Sequence, residues 1–260
     1  MQAIVVNYFV AACAGLIGYG KPVSIPVITD YGWFPGALLL GALFILIFNL
    51  MAITTQRSGL SVVSVATKMS VAIPILFGIV YYDEALGVFK VLGILLAMVA
   101  VYLASVKNSD GLIVKKENIL YPILVFLGSG IIDTSIKYLE NGYVGETDVA
   151  LFSSVIFITA FVIGLAIIAY QLMRGQFKFS YKNLLGGLAL GIPNYFSIYF
   201  LVLTLRTGID SSTIFTINNV SIVMLSTFFG IAFFKEKLLT KNWIGIGLAV
   251  LGIFLVSLSL

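Results

Sequence analysis

Residues 61–105 read SVVSVATKMSVAIPILFGIVYYDEALGVFKVLGILLAMVAVYLAS: an apolar segment carrying Lys68, a short acidic break at Asp83 and Glu84, and a second apolar segment. The latter part of this stretch returns later in the chain. Residues 77–97 are FGIVYYDEALGVFKVLGILLA and residues 229–249 are FGIAFFKEKLLTKNWIGIGLA, so both fit F-G-I-x4-E-x-L-x6-G-I-x-L-A at a constant offset of 152. One helical unit is used twice.

The rest of the chain has the composition of a membrane protein. Of its 260 residues 60% are apolar and 10% charged, with a mean hydropathy of +1.11. A helix needs roughly 20 apolar residues to cross the hydrocarbon core, and nine such segments follow one another at 2–19, 34–57, 60–82, 86–106, 118–140, 147–173, 182–206, 211–234 and 241–260. Little is left for a soluble domain. The net charge of +4 comes from Lys and Arg residues that sit mostly in short loops, where topology accounts for them and a nucleic-acid partner is not expected. There is no histidine and one cysteine, Cys13. That excludes a disulfide within the chain and a Cys/His metal cluster, and no cofactor is expected.

The repeat extends backwards once three residues are inserted in the second half. Arg57-Ser58-Gly59 meets Arg206-Thr207-Gly208, and Gly15-Leu16 meets Gly164-Leu165, each at an offset of 149. The first four segments therefore match the last four, and segment 118–140 has no partner. The domain reading is a first repeat over 1–106 with four helices, a connecting loop over 107–117, and a second repeat over 118–260 with five. A full duplication has ten helices, and five per half forces the halves into opposite orientations across the membrane. Met1-Gln2-Ala3-Ile4 runs into a helix without a polar lead, so a chain shortened at its start is the expectation and a natural nine-helix form the other reading.

Basic residues set the orientation. Arg57, Lys107, Lys115, Lys116, Arg174, Lys178, Lys182, Lys235, Lys237 and Lys241 fall on one face, and Lys21, Lys90, Lys137 and Arg206 on or near the other. The positive-inside rule makes the first face cytoplasmic and puts the C-terminus outside, in a plasma (inner) membrane.

The paired F-G-I-x4-E-x-L-x6-G-I segments, the five-helix repeat and the phrase TKMSVAIPILFGIVYYDE resemble the EamA-type transporters of the drug/metabolite transporter superfamily. The resemblance covers nearly the whole chain, through a soft pattern of small residues and one glutamate. It implies ten helices in two inverted halves, a central substrate cavity and alternating access. The chain departs from that pattern in its missing first helix and in its charge-derived orientation, since both termini of the family are usually cytoplasmic.

Candidate site residues come from polar groups inside apolar segments, which are costly there and face a cavity or a partner. Ser61, Ser64 and Lys68 form one helical stripe; Lys68 reads as an anion or carbonyl contact, or as a chain that snorkels to the headgroups. On 118–140, Ser129, Asp133, Lys137 and Glu140 share a face. Asp133 reads as a proton-coupling carboxylate or amine ligand, or as half of a neutral pair with Lys137 at i,i+4. Lys68 and Asp133 can also meet across the bundle. Thr213 and Thr216 repeat the Ser61/Ser64 stripe while Val220 stands where Lys68 does, and Asn218 and Asn219 add amides; the alternative is that these groups knit helices together. Asn49, Asn194 and Tyr199 complete the substrate-binding set. Pro74 and Pro193 allow kinks. Glu84 and Glu236 are equivalent and suit a cap on the next helix's N-terminus. Gly78 and Gly230, with Gly93 and Gly245, read as close-packing positions.

The leading function is a secondary transporter or exporter of a small polar or amphipathic metabolite, driven by exchange or by protons through Asp133. No ATP-binding loop is present. A flippase for a lipid-linked or anionic headgroup is the second reading and a helical scaffold without transport the third. An intramembrane enzyme is disfavoured, since no nucleophile has an evident base.

Overall fold

The computed structural model describes residues 1–106, 116–177, 179–235 and 238–258. Glu236, Lys107, Lys115, Lys178, Lys237 and most of the 107–117 loop lie outside the described residues. The elements are α1 (Gln2–Tyr19), α2 (Ile25–Thr29), α3 (Phe34–Ser58), α4 (Leu60–Met69), α5 (Ala72–Tyr81), α6 (Val88–Ser105), α7 (Leu120–Gly142), α8 (Val149–Met173), α9 (Tyr181–Leu205), α10 (Ser211–Phe234) and α11 (Thr240–Ser257). The chain is an all-α polytopic bundle. Nine spans among the described residues are long and apolar enough to cross a membrane, α4 and α5 together forming one of them.

Segment 60–82, expected as one helix, is broken at Ser70 and Val71. The cause is Pro74, which has no N–H to offer the Ser70 carbonyl and whose ring crowds it. The break is tight: Ile73 N–H donates to Ser70 O at 2.9 Å, and the Ser70 hydroxyl donates to Thr67 O at 2.6 Å. Pro193, by contrast, sits inside a continuous α9. The short α2 is too brief to show a periodicity.

The chain divides into two compact units, and neither is a sequence repeat. The first comprises Met1–Asn49 and Ser135–Thr207, the second Leu50–Thr134 and Gly208–Leu260. Each draws helices from both halves of the sequence.

In the first unit α1 lies antiparallel to α8. A Cβ placed on Gly15 would collide with Ser154, and one on Gly164 with Val5. Gly15 and Gly164 are repeat equivalents, and so are Val5 and Ser154. The contact is thus its own image under a two-fold rotation, as expected of inverted repeats. α9 runs parallel to α1, Gly187 resting against Ala3 and Val6 and Gly191 against Asn7 and Val10. Tyr8, Trp33, Phe44, Phe152 and Phe157 are buried where α1, α3 and α8 meet.

The second unit repeats the device. A Cβ on Gly93 would stand 2.9 Å from Gly252 O, and one on Gly245 would stand 2.9 Å from Ala100 O. Gly93 and Gly245, and Ala100 and Gly252, are equivalents at the 152-residue offset. α6 and α11 are therefore antiparallel across a second local two-fold. Around them Ala97, Ala100, Val101, Val220, Val223 and Ala249 form a buried core. Val220, which replaces Lys68 in the second repeat, is core.

Candidate functional site

The sequence-predicted residues fall into separate places in the two units. In the first unit, Asn49 Nδ2 donates to Ile45 O at 3.1 Å within its own helix. Asn194 Nδ2 donates to Asn7 Oδ1 at 3.3 Å, tying α9 to α1. The Tyr199 ring stacks on Tyr195 at 5.6 Å. Lys137 pairs with buried Glu140 at 3.2 Å and donates to Leu205 O at 3.4 Å, while Arg206 reaches the same carboxylate at 3.4 Å. That cluster joins the end of α7 to the C-terminus of α9, whose last carbonyls need donors.

In the second unit, Lys68 and Asp133, both half-buried, are each other's charged neighbours. Thr216 and Asn219 are buried and donate to carbonyls one turn back, Ser212 O at 2.7 Å and Phe215 O at 3.0 Å. They border a void of about 10 Å³, room for one water. Ser129 is buried, its hydroxyl unpaired. Gly230 is buried in α10.

Ser61 and Ser64 line a much larger cavity of about 450 Å³. Its other walls are Leu60, Ala104 and Ser105 at the end of α6, Val223, Ser226 and Thr227 on α10, and Leu238 and Asn242 at the start of α11. Asn242 Nδ2 donates to Leu103 O at 2.8 Å and Val106 O at 3.0 Å, and its Oδ1 accepts from Leu239 N–H at 2.8 Å. One amide thus caps the C-terminus of α6 and fixes the start of α11. Lys68, a turn beyond Ser64 on α4, is not among the lining residues.

The opposite end of the unit is filled. Glu84, expected to cap the next helix in the chain, caps α10 instead. Ser211 N–H donates to its Oε1 at 2.7 Å and Ser212 N–H to its Oε2 at 3.0 Å, and both hydroxyls bond the same oxygens. Asp83, with φ of 50°, turns the chain sharply after α5. Gly78 makes room, since a Cβ there would meet both Ser211 and Glu84. Burial pushes the Glu84 carboxyl up, but the four hydrogen bonds from Ser211 and Ser212 outweigh it and hold the group below the usual carboxylate range.

Sequence reasoning missed Lys90, which it counted as a loop charge. The residue is 2% exposed and its Nζ lies 2.6 Å from Asp210 and 3.7 Å from Glu84, and it also donates to Ala85 O at 3.2 Å. The signal was in the repeat: Lys90 is the 152-residue equivalent of Asn242, so both halves place a polar group at this helix start. Ser105 was missed as well, for it ends an apolar helix; it is 7% exposed and its hydroxyl has no partner.

Among similar proteins, one from Haemophilus influenzae, described as uncharacterized, is 27% identical over 222 residues, covering 85% of this chain and 74% of its own length. A crystal structure at 13% identity superposes with a TM-score of 0.79 over 99% of this chain and 87% of that one, which shows the fold. Residues 118–258 match the model of the EamA-like transporter family. With local two-folds in both units, membrane-length helices and a family match over more than half its length, the chain belongs to the EamA-like transporter family and is an integral membrane transporter.

Proposed function

We propose that this transporter is a secondary exporter that moves a small polar or amphipathic metabolite across the plasma membrane by alternating access. One observation carries the reading. Under the repeat, the cavity walls of Ser61, Ser64, Leu238 and Asn242 correspond to Thr213, Thr216, Leu86 and Lys90. The two ends of the second unit are therefore chemically related, yet one holds a half-open cavity of about 450 Å³ and the other holds the Glu84–Lys90–Asp210 network. They are about 22 Å apart along α6, at 1.5 Å per residue. A device built of inverted repeats in unlike states exchanges those states to pass a solute. The basic loop residues assign the cavity end to the cytoplasm, which favours loading from inside. Energy would come from exchange or from protons carried by Asp133.

The test is an untargeted comparison of metabolites retained and excreted by cells with and without the protein. A solute excreted only when it is present, and moved by the purified protein in proteoliposomes, is the expected result. Identical profiles together with no flux of any candidate would overturn the reading.

A further inference from the structure

We propose that Lys90 is a latch with two seats: bound to Asp210 and Glu84 it shuts the filled end of the second unit, and when that end opens it moves to the last carbonyls of α11. The inference rests on the transport reading and names the contact that changes in it. Lys90 lies in the first turn of α6, and its Nζ is 2.6 Å from Asp210, the residue before α10, and 3.7 Å from Glu84. The ammonium thus ties the start of α6 to the start of α10.

The second seat is read from the repeat. Asn242, the equivalent of Lys90, lies in the first turn of α11 and lines the open cavity. Its amide turns to the end of α6, donating to Leu103 O at 2.8 Å and Val106 O at 3.0 Å. The images of those carbonyls, at the 152-residue offset, are Leu255 and Leu258 at the end of α11. That end is within reach of α6, because Gly93, one turn on from Lys90, packs on Gly252 and Val256. The last carbonyls of a helix call for donors and its dipole favours a cation there, so the ammonium is satisfied in either position. The carboxylates it leaves are provided for as well. Asp210, 43% exposed, is solvated, and Glu84 keeps its hydrogen bonds from Ser211 and Ser212.

Independent support comes from the packing. The void of about 10 Å³ is bordered by Val71, Ile75 and Thr216. Their repeat equivalents Val223, Thr227 and Ser64 all line the cavity of about 450 Å³. The small void therefore sits where the repeat places the image of the large one, and the open arrangement of the same walls exists at the other end of the unit.

The experiment uses the purified protein in detergent, with Cys13→Ala removing the native thiol and either Ser64→Cys or Thr216→Cys reporting one of two equivalent walls. The Thr216 hydroxyl bonds only within its own helix, to Ser212 O, so a thiol there breaks no contact between helices. N-ethylmaleimide is the probe, being neutral and so insensitive to loss of the lysine charge. Lys90→Asn gives the filled end the residue type that stands at the open one. We expect it to speed labelling of Thr216→Cys about fivefold or more and to slow that of Ser64→Cys about twofold or more, because one population is drawn from the other. Lys90→Met breaks the latch but has no donor for the carbonyls of α11, so it should shift both rates by less. Asp210→Asn carries the test, with the same directions expected, if neither lysine variant is monodisperse. A structural role alone would loosen the unit and raise both rates. That result, a change at one position only, or no change would overturn the latch, and equal shifts in Lys90→Asn and Lys90→Met would overturn the seat on α11. Labelling needs no transport, so opposite shifts in a protein that moves no solute would leave the latch standing and sink the transport reading. Flux without opposite shifts would do the reverse.

Discussion

Glu84 holds the N-terminus of α10 through Ser211, whose backbone N–H and hydroxyl both donate to the same carboxylate oxygen, the N–H at 2.7 Å. A sequence separation of 127 makes this one of the long-range fastenings of the second unit. Replacing a helix cap costs about 0.5–2 kcal/mol, and stranding the cation beside it adds to the loss, since breaking a buried pair costs about 3–5 kcal/mol. Glu84→Ala is therefore expected to lower the Tm in detergent well beyond the effect of Ser211→Ala, which leaves the carboxylate three donors.

The same geometry fixes a pH dependence. The Glu84 carboxyl titrates below its ordinary value of 4.5 in the folded protein. A group depressed in this way contributes its stability above the unfolded value and loses it as the pH falls through the folded one. The Tm difference between the native protein and Glu84→Ala should be full at neutral pH and narrow only below about 4.5. A difference that already narrows between pH 7 and 5 would mean that another group controls this end.

Lys90 stands between two carboxylates of unlike exposure, Glu84 at 6% and Asp210 at 43%. Asp210 is well screened by solvent, so its pairing contributes little, and the larger share rests on buried Glu84. Lys90→Met should destabilise by about 3 kcal/mol, Asp210→Asn by about 1 kcal/mol or less. The double variant Lys90→Met with Glu84→Gln should recover part of the loss, because the one charge it leaves without its partner, Asp210, is 43% exposed and solvated. Chemical or thermal unfolding of the native protein, Lys90→Met, Glu84→Gln and the double variant as a cycle measures the coupling.

Two glycines of α11 give a sharper check of the inverted pairing. A Cβ on Gly245 would stand 2.8 Å from Ala104 N and 2.9 Å from Ala100 O, both backbone, whereas Gly247 has nothing within 4 Å. Gly245→Ala is expected to cost about 1–3 kcal/mol by overpacking, and Gly93→Ala a similar amount because it meets the image of the same surface. Gly247→Ala should be neutral or slightly stabilising, since alanine favours the helix. Equal effects at 245 and 247 would argue against the close α6–α11 contact.

The spans and the repeat were legible because each rests on a local property. Apolar length marks a crossing helix, and a glycine at the same place in both halves marks a close approach. The partners were not legible. Glu84 reads as a cap from its position between helices, but which helix it caps depends on a turn at Asp83 and on Ser211 and Ser212 far along the chain. Lys90 reads as a topological charge until Asp210 is placed beside it. Pro74 announces a kink, but not that one helix ends at Met69 and the next starts at Ala72. Ser105 carries no signal at all in sequence, because its interest is that nothing in the fold satisfies it.

Lys68 and Asp133 supply the remaining test, since a polar stripe on α4 made Lys68 the leading substrate contact in the sequence. The cavity lining stops at Ser61 and Ser64, and the neighbour of Lys68 is the Asp133 carboxylate. Lys68 and Asp133 form no ion pair within 4 Å, yet opposite charges this near in a bilayer offset part of each other's burial cost, which removing either takes away. Lys68→Met and Asp133→Asn should each lower the Tm and the yield of folded protein, and the double variant should restore both. If Lys68 serves only this pairing, the double variant also recovers flux in proteoliposomes. Restored stability without flux would instead place Lys68 or Asp133 on the solute's path. Flux that returns but no longer responds to a pH gradient would assign Asp133 the proton.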